Sequence, residues 1–398
     1  MTRAPRLDVT FRGNVARGRH GWLRLTPSYS AALVESLLVD APPDTRVLDP
    51  FCGTGTTALV CASRGLACDT TDINPFLVWL AQVKTAAYAP ELPAALGALT
   101  RTVRRAVRAT RRDAPWLPDL HRIEAWWPPR TLQALGRAHA AIEAAEGAVR
   151  DLGRVAFGRL LQASAHVGTH HPSPTFRPRP DDPDDPAALL AVWDEAVAGI
   201  EGALAPNPPG TPRVLLADAR TLALPPGATY DRVVTSPPYP NRMSYVRELR
   251  PYLYWFGHLV DRRGAGELDW RAIGGTWGVA TSRLTRWTPD PGRSIPWAPF
   301  AATCAAIEAQ SPLLARYVHR YLDDFQRHLA ALGPHLAPGA TVHYVVGNAA
   351  FYGVPVPIEL FVALFEAAGF TAVAADPLRK RHSKTGLYEY VVRGLAPG

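Results

Sequence analysis

A nine-residue turn, Asp49-Pro-Phe-Cys-Gly-Thr-Gly-Thr-Thr57, limits more than any other feature how this chain of 398 residues can fold. It follows a short apolar strand pattern, Thr45-Arg-Val-Leu-Asp49, and leads into a helix pattern from Thr57 to Arg64 that Gly65 stops. A second strand pattern, Ala67 to Asp72, comes next. Strand, glycine turn, helix, strand is the opening of a doubly wound α/β sheet. Glycines at that turn let the backbone close on a ligand at a helix N-terminus. A dinucleotide site wants G-x-G-x-x-G there, and a phosphate loop wants Gly-Lys-Ser/Thr; neither is present. The chain's only lysines are Lys84, Lys380 and Lys384, none near the turn in sequence. The turn therefore suits a ligand with a charged amino-acid end and no pyrophosphate.

Acids recur where strands end. Asp49 closes the first strand and opens the turn. Asp72 closes the second, at the distance from the glycines where an acid accepts from ribose hydroxyls. Asp218 ends a third pattern, Arg213-Val-Leu-Leu-Ala-Asp218, placed to meet an adenine amino group together with Ala219. A fourth strand, Tyr230 to Thr235, runs into Ser236-Pro-Pro-Tyr239, which sheet logic puts at the same carboxyl edge.

These residues resemble the amino-methyltransferases of DNA. Asp49–Thr57 is similar to that family's DPFxGSGTT cofactor motif, with Thr54 in place of the usual Ser. Thr71-Asp-Ile-Asn-Pro75 looks like its second motif, and Leu25-Thr-Pro-Ser-Tyr-Ser30 like the segment that touches the cofactor's methionine end. The resemblance implies S-adenosylmethionine as cofactor, with Thr26, Tyr29, Asp49, Pro50, Phe51, Cys52, Gly53, Thr54, Gly55, Thr56, Thr57, Asp72, Ile73, Asn74, Asp218 and Ala219 around it. It implies the Rossmann-like sheet of class I methyltransferases, mostly parallel with one antiparallel strand near the C-terminus, here carrying a mainly helical insertion. Ser236, Pro237, Pro238 and Tyr239 match the family's catalytic (Asp/Asn/Ser)-Pro-Pro-aromatic motif, whose Ser form is associated mainly with cytosine N4. The cofactor motif precedes the catalytic one, the reverse of the common N4-cytosine order.

The chemistry accounts for the residue types. An amine conjugated to a base ring is a poor nucleophile, and acceptors aimed at its two hydrogens favour a pyramidal nitrogen with its lone pair free. Proline lacks an N–H, so Ser236-Pro237-Pro238 offers carbonyls without a competing donor on a stiff backbone. The Ser236 hydroxyl can give or take a hydrogen bond. Tyr239 offers a ring face to a base swung out of a duplex.

The expected organisation is a catalytic domain in three pieces, 1–90, 205–256 and 312–398. Between them fall a helical insertion at 91–204 and a Trp/Gly/Pro-rich irregular stretch at 257–311. The helical insertion is the first candidate for target recognition. Net charge is +8, almost all from arginine, which suits a polyanionic partner, double-stranded DNA. Arg101, Arg104, Arg105, Arg108 and Arg112 fall at helical spacing and form one basic stripe. Asn241, Arg242, Tyr245, Arg247 and Arg250 mix basic and polar or aromatic groups beyond the catalytic motif and are candidates to hold the phosphate backbone of a flipped nucleotide. Arg379, Lys380 and Arg381 are expected in a loop between the last two strands. Trp126 and Trp127 read as core.

No apolar run approaches a membrane span, and the arginine-dotted N-terminus has no signal-like core, so a cytoplasmic enzyme is expected. Cys52, Cys61, Cys68 and Cys304 form no zinc-like spacing, and His170-His171 lacks partners, so no metal is expected. Adenine N6 in DNA, the guanine amine in RNA, and a non-catalytic nucleic-acid-binding module stay open as alternatives. A partner restriction endonuclease is a family expectation.

Overall fold

The computed structural model describes residues 9–109, 114–168, 175–176, 184–241, 244–381 and 386–397. Seven strands form its main sheet: β1 Arg46–Asp49, β2 Ala67–Asp72, β3 Arg213–Leu216, β4 Tyr230–Thr235, β5 Leu336–Gly347, β6 Thr371–Lys380 and β7 Tyr388–Leu395. Their order is β3-β2-β1-β4-β5-β7-β6. β1 pairs parallel with β2 and β4, β2 with β3, and β4 with β5, while β7 runs antiparallel to both β5 and β6. This is a Rossmann-like, mostly parallel sheet, with one reversed strand near the C-terminus.

Period-two alternation explains why both faces are covered. Val47, Val234, Val345 and Val391 face the helices Ala31–Leu37 and Thr56–Arg64. Their neighbours Leu48, Val233, Val346 and Val392 face Pro312–Leu332 and Ile358–Ala367. A sheet buried on both sides leaves the carboxyl ends of its strands as the place for a ligand.

The stretch 91–204 folds mainly as helices, Leu92–Arg108, Pro129–Glu143, Gly147–Ser164 and Ala188–Glu201 among them. Leu92, Leu96, Leu99, Val103 and Val107 bury one stripe of the first. Their core is continuous with Phe76 and Leu80 of helix Pro75–Thr85 and with Tyr252 and Trp255 of helix Tyr245–Trp255. Trp126 and Trp127 are buried within it.

Two expectations need correction. The stretch 257–311 is irregular only in part, for it contains helices Arg262–Arg271, Val279–Arg286 and Phe300–Glu308. Short helices between Gly and Pro leave too few turns for a period to show, although Asp261 caps the first by accepting from Gly264 N–H at 2.7 Å. Arg379 and Lys380 are not in a loop either; they complete β6 and pair with β7.

Candidate functional site

The ends of β1, β2 and β4, and the turn after β3, converge on one crevice of about 480 Å³. Pro50–Gly53, Asp72–Asn74, Asp218–Ala219 and Ser236–Tyr239 all line it. The two segments singled out in the sequence thus share one space.

Gly53 turns the chain with φ +52°, and a Cβ there would stand 2.4 Å from the Pro27 carbonyl oxygen. Thr54 N–H donates to that same oxygen at 2.9 Å, and the Ser28 and Thr54 hydroxyls meet at 2.6 Å, so the N-terminal segment is clamped to the turn. Gly55, at φ +80°, packs against Ala81. Thr54, Thr56, Thr57 and Asp49 lie buried behind the crevice wall. The hydroxyls of Tyr29 and Thr57 meet each other and the Val234 carbonyl, tying the turn to β4. Thr26 donates to Glu248. Gly53→Ala is expected to weaken ligand binding at the turn about tenfold or more through φ strain and the Pro27 clash, read by calorimetry.

Two carboxylates hold this side of the crevice, Asp72 on its lining and Asp49 buried behind it. Asp49 Oδ1 accepts from the Thr235 hydroxyl and from Phe51 N–H at 3.1 Å, while its Oδ2 is buried with no partner among the described residues. Burial pushes its carboxyl up to about 6, against the pull of the Thr235, Thr57 and Phe51 hydrogen bonds. Asp72 accepts from Gly53 N–H at 2.9 Å and Asn74 N–H at 2.8 Å, and burial, aided by the Asp49 charge, raises it to about 7. Neither acid is ion-paired among the described residues. A lysine does reach the turn, from helix Pro75–Thr85 and from behind: Lys84 Nζ donates to the Thr54 carbonyl at 3.3 Å, and burial lowers it to about 8. Sequence distance hid this contact.

Asp218 differs. Burial raises its carboxyl, but the Arg220 fork outweighs that and holds it below the ordinary range, through contacts of 3.0 and 2.6 Å. Arg220 also donates to Asp324 at 2.8 Å. The Ala219 carbonyl accepts from His328 Nδ1 at 2.8 Å, which fixes the tautomer, so Nε2 accepts from the Tyr344 hydroxyl at 2.7 Å. The same imidazole meets the Phe51 ring edge-on at 4.8 Å. His328 carried no motif, and only the fold reveals that it braces two walls of the crevice.

The Ser236–Tyr239 segment is pinned from outside. Tyr321 donates to the Pro238 carbonyl at 2.6 Å and Tyr317 to that of Pro240 at 2.7 Å. Ser236 gives its proton to the Val345 carbonyl at 3.1 Å. The serine oxygen also faces the Tyr239 hydroxyl, and the Pro237 carbonyl accepts no backbone hydrogen bond among the described residues. The Tyr239 ring rests on Gly347, where a Cβ would be 3.2 Å from it, with the Arg381 guanidinium 5.6 Å from its centroid. Burial and the Glu389 charge push the Tyr239 phenol up, so it stays neutral.

The remaining candidates divide. Tyr245, Arg379 and Arg381 line the crevice; Lys380 is exposed and sits on the strand's other face. Arg250 is a correction: it is buried between Trp126 and Trp277, at 5.5 and 4.6 Å, and is not a surface contact. Arg247 lies outside the crevice lining, in the first turn of helix Tyr245–Trp255. Of the stripe, Arg101, Arg105 and Arg108 are exposed, whereas Arg104 is forked to Asp194 of the helix Ala188–Glu201. Arg112, Arg242 and His170–His171 fall outside the described residues. Phe11, Arg12 and Arg24 of the N-terminal segment, and Arg271 and Ile273, complete the lining without any sequence signal. Among the described residues no cluster suits a metal ion, and no helix is long and apolar enough to cross a membrane.

No protein-family model matches the chain. It is similar to the type II methyltransferase M.AvaI of Nostoc sp. (strain PCC 7120 / SAG 25.82 / UTEX 2576) and to that of Anabaena variabilis. Each match is 24% identical over 263 residues, covering 60% of this chain and 54% of the relative. The chain thus spans about half the length of the curated relatives it matches. Among solved structures, TrmN from Thermus thermophilus aligns with 97% of this chain and 52% of its own, at 14% identity and a TM-score of 0.28. The rRNA methyltransferase aviRa from Streptomyces viridochromogenes aligns over 96% of both chains at 12% identity and a TM-score of 0.30.

Proposed function

We propose that this protein transfers a methyl group from S-adenosylmethionine to an exocyclic amine of a nucleic-acid base, cytosine N4 in double-stranded DNA first. The observation that carries the reading is the shared crevice: on one side Asp72, ion-paired to no side chain among the described residues, with Asp49 buried behind the same wall, and on the other two acceptors, Ser236 Oγ and the Pro237 carbonyl. The distant similarity to a type II methyltransferase supports the same direction.

The acidic side fits the cofactor. Asp72 on the lining and Asp49 behind it are ion-paired to no side chain among the described residues, which suits a ligand with net positive charge and disfavours a phosphate. Gly53 and Asp72 would hold its amino-acid and ribose parts, and Asp218, with Phe51 and Ala219, its adenine. When bound, the cofactor supplies an electrophilic methyl group. Ser236 and Pro237 accept the amine's two hydrogens and turn its lone pair toward that group, while Tyr239 positions the ring. The pinned Pro238 and Pro240 carbonyls keep these acceptors in place, and most of the rate comes from that positioning. The amine's surplus proton then leaves to solvent, so no strong base is required.

Incubation with labelled S-adenosylmethionine and genomic DNA, followed by nucleoside mass spectrometry, tests the reading. N4-methylcytosine is the expected product. Label in N6-methyladenine would move the target, and no label in DNA or RNA would overturn the proposal.

A further inference from the structure

We infer that Arg379, held by Glu389, reads the O2 edge of the target base and so makes the site one for cytosine. The inference rests on the proposed transfer to an exocyclic amine.

Sheet register brings these residues to the catalytic segment. Gly347 pairs with Glu389, and Glu389 with Arg379, so the three form one row across β5, β7 and β6. Neighbouring strands lie about 4.8 Å apart, so the row reaches about 10 Å from Gly347. At its near end Gly347 has no side chain, and the Tyr239 ring occupies that space. Beyond it, buried Glu389 accepts a fork from Arg379, Nε to Oε2 at 2.6 Å and Nη2 to Oε1 at 2.7 Å. Both residues line the crevice, and the Glu389 charge acts on Tyr239 directly.

The fork uses two of the guanidinium's three nitrogens. Arg379 Nη1 has no partner among the described residues, and the fork fixes its direction. Arg381, two residues on and on the same face, donates to the Asn241 side chain at 3.2 Å beside Tyr239. Beside Tyr239 the crevice lining thus carries a set of donors, Arg379 and Arg381, next to a carboxylate, Glu389, that is already engaged.

The Watson–Crick edges of the three candidate bases answer this differently. With its amine at Ser236, cytosine presents N3 and O2, two acceptors, toward those donors. Adenine presents N1 and then a C–H. Guanine turned to offer its amine presents an N1–H, which meets a donor. Donors fixed in place by a buried ion pair favour the base with two acceptors, by about tenfold to a hundredfold for a lost hydrogen-bonded contact.

The test begins by mapping the modified base in genomic DNA treated with the wild-type protein. A duplex carrying that site is then compared, at pH 8, with one whose target deoxycytidine is replaced by the carbon-linked 2-aminopyridine nucleoside, which keeps the amine and the N3 acceptor and lacks O2. The wild type should lose about tenfold to a hundredfold in kcat/KM on the analogue. Arg379→Met should lose a similar factor on ordinary cytosine and nothing further on the analogue. Arg379→Met/Glu389→Gln, which removes the stranded carboxylate, should behave the same way, and both variants should bind S-adenosylmethionine like the wild type. An equal penalty for the missing O2 in wild type and variants would overturn the role of Arg379 alone. Wild-type transfer to adenine or guanine would overturn the cytosine assignment while leaving amine methylation intact. No transfer to any nucleic acid would overturn both.

Discussion

Ser236→Ala is expected to lower kcat for methyl transfer about a hundredfold while S-adenosylmethionine binds within about twofold of wild type. The serine hydroxyl donates to the Val345 carbonyl and lies beside the Tyr239 hydroxyl, so its oxygen meets the incoming amine as an acceptor. Alanine removes that acceptor, leaves one amine hydrogen unmatched in a buried site, and frees the Val345 carbonyl. An acceptor that matters most as the nitrogen pyramidalises contributes about 3 kcal/mol to the transition state, the scale seen for single preorganised groups. The turn that would hold the cofactor touches Ser236 only across the crevice, so its affinity should stay. Tyr239→Ala separates the roles further. It opens a gap beside Gly347 and Arg381, so the loss should fall on KM for DNA as well as on kcat. Single-turnover rates and calorimetric cofactor binding distinguish the cases. A Ser236→Ala protein with wild-type kcat would remove the serine from the chemistry.

The sequence made the cofactor half of this site legible because its constraints are local. A glycine that must take φ +52° beside the Pro27 carbonyl leaves a mark on the residue itself, and so does an acid at a strand end. The same holds for Ser236–Tyr239, where two prolines fix carbonyl directions. What could not be read depends on strand order. Tyr317 and Tyr321, which pin the Pro240 and Pro238 carbonyls, lie on a helix whose pattern reports only burial. His328 looks in sequence like any core histidine until the fold sets it between Phe51 and Ala219. Arg250 looked like a phosphate contact, since a charge in sequence suggests exposure; two tryptophans from distant segments bury it instead. Arg379 and Lys380 read as one basic cluster, yet period two sends them to opposite faces, one into the crevice and one to solvent. The helices of 257–311 went unseen because each is too short to establish a period, although that stretch, through Arg271 and Ile273, reaches the crevice.

Asp49→Asn should stabilise the free protein at pH 8 and weaken S-adenosylmethionine binding about tenfold or more, with S-adenosylhomocysteine affected within about threefold. Burial raises the Asp49 carboxyl to about 6, above its unfolded value near 3.9. A carboxyl shifted upward on folding holds its proton more tightly in the folded state. Its contribution is therefore most favourable below about pH 4, declines as pH rises toward 6, and stays at its least favourable above that. Two pK units correspond to about 3 kcal/mol, and asparagine should recover about 1–2 kcal/mol of it, since its amide must sit where Oδ2 now has no partner. The urea midpoint should rise at pH 8, and the gain should vanish near pH 4. The ligand effect has the opposite sign because the charge that burial penalises is the one a cation would compensate. At an effective dielectric near 20, unit charges about 5–10 Å apart attract by about 2–3 kcal/mol. S-adenosylhomocysteine, neutral at sulfur, forgoes most of that attraction, so the variant should compress the preference between the two ligands. Equal weakening of both, or a stability gain that persists at pH 4, would mean that Asp49 acts by shaping the turn through Phe51 and Thr235 and that its charge is incidental.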